Sequence, residues 1–190
     1  MYQQCIDQQA RPDMRPGDTR RDGEFFRNLR KEHVRRRNQE DDNDQPEYGY
    51  TLDRRHWQYW DKQRSGLSTN LASCIHSEVC SIALHPDGKD YFHVARIDLG
   101  AINRSGLLSS LLEAQYEPDP PNRCHFVIVP LDGVATKWME LRNALEALLP
   151  RESKLPTTDE EKAKAKAACN RQHSLIHIRS WVRKKDGSLY

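Results

Sequence analysis

Hydrophobic and polar positions change rhythm several times along the chain, and each change predicts an element. In residues 24–38, Phe26, Leu29 and His33 fall on one helical stripe with Phe25 beside them, while Arg27, Lys31 and Arg35 fall on another. That spacing predicts a basic amphipathic helix, to which Arg30, Arg36 and Arg37 add charge. Residues 1–23 are poor in apolar side chains and read as a flexible arm. Residues 39–47 form an acidic linker.

A denser pattern occupies residues 48–190. YGYTL at 48–52 reads as a short strand, and the following run carries Trp57 and Trp60 at helical spacing. After GLSTN, at 66–70, Leu71, Ile75, Val79 and Ile82 mark the buried stripe of a helix with Asn70 as its N-cap. DYFHVARIDL reads as a strand, with Arg96 and Asp98 on the face of Phe92 and Val94. GLLSSLLEAQ reads as a helix through Leu107, Leu108, Leu111 and Leu112, with a strand as the alternative, and YEPDPPNR is a loop. The continuous apolar run CHFVIVP predicts a strand buried on both faces. Two helices and a last strand complete the pattern: one with Trp138, Leu141, Leu145 and Leu148 inward, one opened by a capping box at 157–161, then SLIHIRSWV. The interleaving predicts an α+β fold, a single mixed α/β sandwich domain carrying the N-terminal basic helix and arm.

Composition narrows the function classes. At 36% hydrophobic and 31% charged residues, the core does not use the whole length, and no run is long enough for a membrane helix. The N-terminus lacks the apolar middle of a signal peptide, and five scattered cysteines do not resemble the disulfide framework of a small secreted domain. The expectation is therefore a cytoplasmic protein with reduced thiols and no membrane association. A net charge of +2 is too small to argue for nucleic acid globally. The local cluster Arg27, Arg30, Lys31, Arg35, Arg36 and Arg37 argues for it instead, or for a protein partner docked on residues 24–37.

Candidate chemistry concentrates at two places. Cys74 and Cys80 stand about 600° apart on a helix at roughly 100° per residue, so they do not build a zinc site, and no metal or other cofactor is assigned. Cys124 and His125 are neighbours on a strand and point to opposite faces, so they cannot activate one another. That leaves Cys124 in the core and His125 as an acid or base. In GLSTN, Gly66 permits a sharp path, Ser68 and Thr69 supply hydroxyls, and a helix starting after Asn70 would offer amide donors to an anion. Arg96 is a possible anion partner. These residues together suggest a pocket for a nucleotide or a nucleic-acid phosphate.

GLSTN, YFHVARIDL and DPPNRCHFVI, taken in order, resemble a group of small bacterial proteins of unassigned activity with a Gly-Leu-Ser-Val-Asn-like motif and an Asp-Pro-rich loop followed by His. The resemblance covers roughly residues 48–131, has Thr69 in place of Val, and implies a bacterial effector or accessory protein in which Ser68, Asn70 and His125 matter. Ser68 and Thr69 are also distantly similar to the Ser-Thr-Ser strand of ADP-ribosyltransferase-like folds. There an earlier Arg and a later Glu complete an NAD pocket. That similarity implies Arg54 or Arg55 as the Arg, and it departs from the pattern in having His125 where the Glu would stand.

Overall fold

The apolar run after Cys124 lies between two neighbouring strands of a sheet, with the successive side chains Phe126, Val127 and Ile128, which point to alternate faces, all buried. The computed structural model describes residues 2–30, 34–36, 50–52, 66–85, 91–133, 137–147 and 158–180. In chain order these form α1 (Tyr2–Asp7), β1 (Thr19–Arg20), β2 (Glu24–Arg30), β3 (Val34–Arg36), β4 (Tyr50–Leu52) and β5 (Leu67–Leu71). Then come α2 (Ala72–Ile75), α3 (Glu78–Ala83), β6 (Tyr91–Asp98), α4 (Leu99–Arg104), β7 (Leu112–Tyr116), β8 (His125–Pro130), α5 (Lys137–Ala147), α6 (Asp159–His173) and β9 (Ile176–Ser180). Seven strands make one sheet in the order β1-β7-β8-β5-β2-β6-β9, with every neighbouring pair antiparallel, and β3 pairs with β4 separately. The fold is α+β.

The core gathers on the central strands. Phe25 and Phe126 meet edge to face with ring centroids 5.5 Å apart, and Tyr116 lies 5.0 Å from Phe126. Trp138 and Leu141 of α5 are buried, as their helical spacing implies. The capping box that opens α6 is formed by Thr158 and Glu161, each side chain bonding the other's backbone N–H. Gly66 has a role the sequence did not suggest: a Cβ there would sit 2.1 Å from a Val127 methyl and 2.8 Å from one of Val129, so only glycine lets β5 start this close to β8.

Several expectations are corrected. The basic helix over residues 24–38 is not one: Glu24–Arg30 is an interior strand between β5 and β6, and Val34–Arg36 is a strand paired with β4. The adjacent Phe25 and Phe26 are both buried, on opposite faces. A strand covered on both sides loses its alternation and can mimic a helical stripe. Lys31, His33 and Arg37 lie outside the described residues, as do the linker, Trp57 and Trp60.

Residues 2–23 are not a free arm. Cys5 is buried, β1 pairs with the end of β7, and the Ala10 amide donates to the Cys74 carbonyl at 2.9 Å. The thiols are not all reduced either, because Cys5 is bonded to Cys80 and Cys74 to Cys124. Pairs separated by 75 and 50 residues in sequence are brought to Cα distances of 5.3 and 5.5 Å by the fold, which composition could not show.

The helix expected after Asn70 is two short ones. His76 adopts a left-handed conformation at φ 61°, ending α2, and the chain restarts helically at Glu78. GLLSSLLEAQ resolves toward its strand alternative, with β7 beginning at Leu112.

Candidate functional site

Strands β2, β5 and β8 are neighbours, and their register builds a cleft. Asn70 stands opposite His125 across β5 and β8, and opposite Phe26 across β2 and β5. Since side chains alternate, Ser68 and Asn70 share the face of His125. A cavity of about 240 Å³ opens there, lined by Arg27, Asn28, Ser68, Asn70, Asn122 and His125, with Phe26, Leu84, His85 and residues 119–121 completing its wall. The ladder between β2 and β5 is only two pairs long, and just past it the Arg27 guanidinium donates from Nη1 to the Ser68 carbonyl at 2.6 Å.

The sequence singled out Ser68 and His125 separately, and the structure joins them. The His125 ring lies with Nδ1 2.6 Å from the Glu117 carbonyl oxygen and Nε2 2.9 Å from Ser68 Oγ. A carbonyl can only accept, so Nδ1 carries a proton, and in the neutral imidazole Nε2 accepts from the serine hydroxyl. The Glu117 amide returns a bond of 3.2 Å to the His125 carbonyl, which fixes the backbone beneath the ring.

Behind this pair runs a directed chain of amides. Asn122 Nδ2 donates to Asn70 Oδ1 at 2.7 Å, Asn70 Nδ2 to Ser81 Oγ at 2.9 Å, and Ser81 Oγ to Asn28 Oδ1 at 2.8 Å. Asn28 Nδ2 then closes on the Ser81 carbonyl at 2.8 Å. Asn28, Asn70 and Ser81 are all buried, so each polar group depends on the next. Asn122 belongs to the proline-rich loop, whose Pro120–Pro121 bond is cis, and its Oδ1 accepts from the Cys124 amide just before His125. Gln9 holds the same loop from outside, accepting from the Arg123 amide and donating to the Pro121 carbonyl.

Other expected site residues fall elsewhere. Thr69 is buried on the opposite face of β5, its hydroxyl donating to the Phe126 carbonyl at 3.1 Å, because alternation separates it from Ser68 and Asn70. Asn70 is not a helix cap; the N-cap of α2 is Leu71. Arg96 sits outside the cleft on β6, where it pairs with Glu24 at 2.5 Å, and that hydrogen bond raises its pKa further above the usual arginine value. Of the basic residues assigned to docking, Arg27 belongs to the cleft, while Arg30, Arg35 and Arg36 are on strands. Lys31, Arg37, Arg54 and Arg55 lie outside the described residues. Asn122, Ser81 and the Glu117 carbonyl were missed; the only sequence signal was the proximity of Asn122 to His125 within DPPNRCH.

Two further clusters lie away from the cleft. His173 and His177 stack edge to face at 5.0 Å, and burial together with the neighbouring imidazole lowers the His173 pKa. Lys137 bonds Glu140 at 2.9 Å and also contacts Ser109; the hydrogen bond to Glu140 raises its pKa and lowers that of the carboxylate. Among the described residues no helix is long and apolar enough to cross a membrane, and no group of three or more His, Cys, Asp or Glu could hold a metal ion. No protein-family model, curated protein or solved structure matches this chain.

Proposed function

We propose that the cleft over β2, β5 and β8 takes the phosphate-bearing end of a nucleotide or of a nucleic-acid strand, with His125 acting there as acid or base. The observation that carries this reading is the convergence of Arg27, Ser68 and His125, from three adjacent strands, on one cavity. A guanidinium, a hydroxyl and side-chain amides are donors suited to phosphate oxygens. The volume of about 240 Å³ is below the ~300–1,000 Å³ that encloses a drug-sized ligand, so the remainder of a nucleotide would extend outward.

Calorimetric titration with ATP, GMP, NAD⁺ and inorganic phosphate tests it. At least one nucleotide should bind saturably, and Arg27→Gln should weaken that binding about tenfold or more, equivalent to ~1.4 kcal/mol. Failure of every nucleotide to bind at millimolar concentration would overturn the reading.

A second reading, an ADP-ribosyltransferase-like enzyme, is favoured by one observation: Arg27, from an earlier strand, bonds the backbone of Ser68 on the serine-bearing strand. It requires release of nicotinamide from NAD⁺, measurable by chromatography, and His125→Ala should abolish that release. The docking module loses its main support, since residues 24–30 are an interior strand and Val34–Arg36 is a strand paired with β4. A bacterial effector or accessory role rests on the resemblance carried by GLSTN and DPPNRCH alone.

The cysteines bear on the compartment as well. Two disulfides favour a setting where such bonds persist, in preference to the reducing cytoplasm.

A further inference from the structure

Ser68 and Ser109 each lie beside a basic side chain, and their chemistry differs. Ser109 contacts Lys137, but that ammonium also pairs with Glu140 and Asp132, and Glu140 holds the proton on it, so it cannot accept another from the serine. Ser68 donates to a ring nitrogen whose partner nitrogen already carries the imidazole proton. The nucleophile, the base and the group that orients the base are thus in line: Ser68 Oγ, His125 Nε2 and, behind Nδ1, the Glu117 carbonyl. Ser68 is only partly buried and both side chains line the cavity, so an incoming electrophile can reach Oγ.

We propose that Ser68 is a nucleophile that forms a covalent phosphoserine ester with its substrate, making the protein a hydrolase of nucleotide phosphoesters or phosphoanhydrides. The proposal rests on the nucleotide reading of the same cleft for its substrate class. Ser68 Oγ attacks phosphorus and passes its proton to His125 Nε2. The bond from phosphorus to the leaving oxygen breaks with its electron pair on that oxygen, which takes the proton from Nε2. Water then gives a proton to Nε2 while its oxygen bonds phosphorus, the bond from phosphorus to Oγ breaks, and Oγ recovers the proton. One P–O bond is hydrolysed, and nothing is oxidised or reduced. Arg27, 2.6 Å from the Ser68 carbonyl, places a positive charge beside the nucleophile, where the phosphoryl oxygens gather negative charge.

An alkyl fluorophosphonate tests the nucleophile without knowledge of the natural substrate. Attack by Oγ breaks the P–F bond, fluoride leaves, and a stable phosphonyl ester remains. Intact mass spectrometry of the full-length wild-type protein should show one adduct, and peptide mapping should place it on Ser68. Ser68→Ala should show none while keeping the wild-type unfolding midpoint. His125→Ala should label roughly 100-fold more slowly, the contribution of a positioned general base.

No adduct, or an adduct mapped to another residue of the wild type, would overturn the proposal whatever the variants do. Nucleotide binding by calorimetry without labelling would leave the binding reading standing and remove the nucleophile. Labelling of Ser68 that no nucleotide slows would keep the nucleophile and remove the nucleotide as its substrate.

Discussion

At the scale of single residues, Ser81 decides more than its position suggests. It is fully buried on α3, far from the reacting groups in sequence, and its hydroxyl is the link between Asn70 on β5 and Asn28 on β2. Removing it leaves a buried amide donor and a buried amide oxygen without that partner, and each orphaned group costs roughly 1–3 kcal/mol. Ser81→Ala should therefore destabilise the protein by about 2–6 kcal/mol, read from the shift in a urea unfolding midpoint at unchanged slope. Because Asn70 also accepts from Asn122, the loop that precedes His125 should loosen as well. A variant within about 0.5 kcal/mol of wild type would show that the chain of amides does not hold the cleft together.

At the scale of elements, what was legible follows from where each segment is buried. The helix opened by Thr158 announced itself through a capping box, which is a local device and survives in the structure. β8 was legible from its continuous apolar run, and β6 from its aromatic and branched residues despite Arg96 and Asp98 among them. β2 was not, because Phe25, Phe26 and Leu29 are buried by neighbours more than 30 residues away in sequence, and local spacing carries no record of them. Within the site, Ser68, Asn70 and His125 were visible as residue types beside turns, but the bond between Ser68 and His125 depends on the pairing of β5 with β8. Thr69 falls outside the site for the complementary reason: GLSTN was expected to lead by a sharp path into a helix, whereas it is a strand that alternates its side chains.

The same non-local logic governs the cysteines. Denatured without reductant, the protein should alkylate at one of its five cysteines, Cys169, and at all five after reduction. Chain-entropy arguments assign each of the closed loops, 75 and 50 residues long, roughly 4 kcal/mol. Reduction should lower the thermal midpoint by 10 °C or more, at about 2–4 °C per kcal/mol for a domain of this size. Alkylation of five cysteines before reduction would remove both bridges from the account.

At the scale of the whole molecule, the N-terminal residues act as a strap across the site's outer edge. From the buried Cys5 the chain passes Gln9, which bonds both sides of the proline-rich loop, and Ala10, which meets α2. It then completes the sheet edge, where Gly17 and Asp18 exchange backbone bonds with Tyr116 and β1 pairs with β7. A flexible arm could be cut away at little cost, whereas a strap cannot. Deleting residues 1–22 removes the Cys5–Cys80 bridge, the Gln9 contacts and an edge strand at once. Set against a total stability of about 5–15 kcal/mol, the bridge alone is a large fraction. The truncated chain should show a lower and broader thermal transition by circular dichroism, with faster amide exchange at residues 122–126. The double variant Cys5→Ser, Cys80→Ser separates the contributions: it should lose only the bridge and melt between wild type and truncation. Equal melting of the truncated and full-length proteins would return these residues to the status of an appendage and leave the cleft to be held by the amide chain alone.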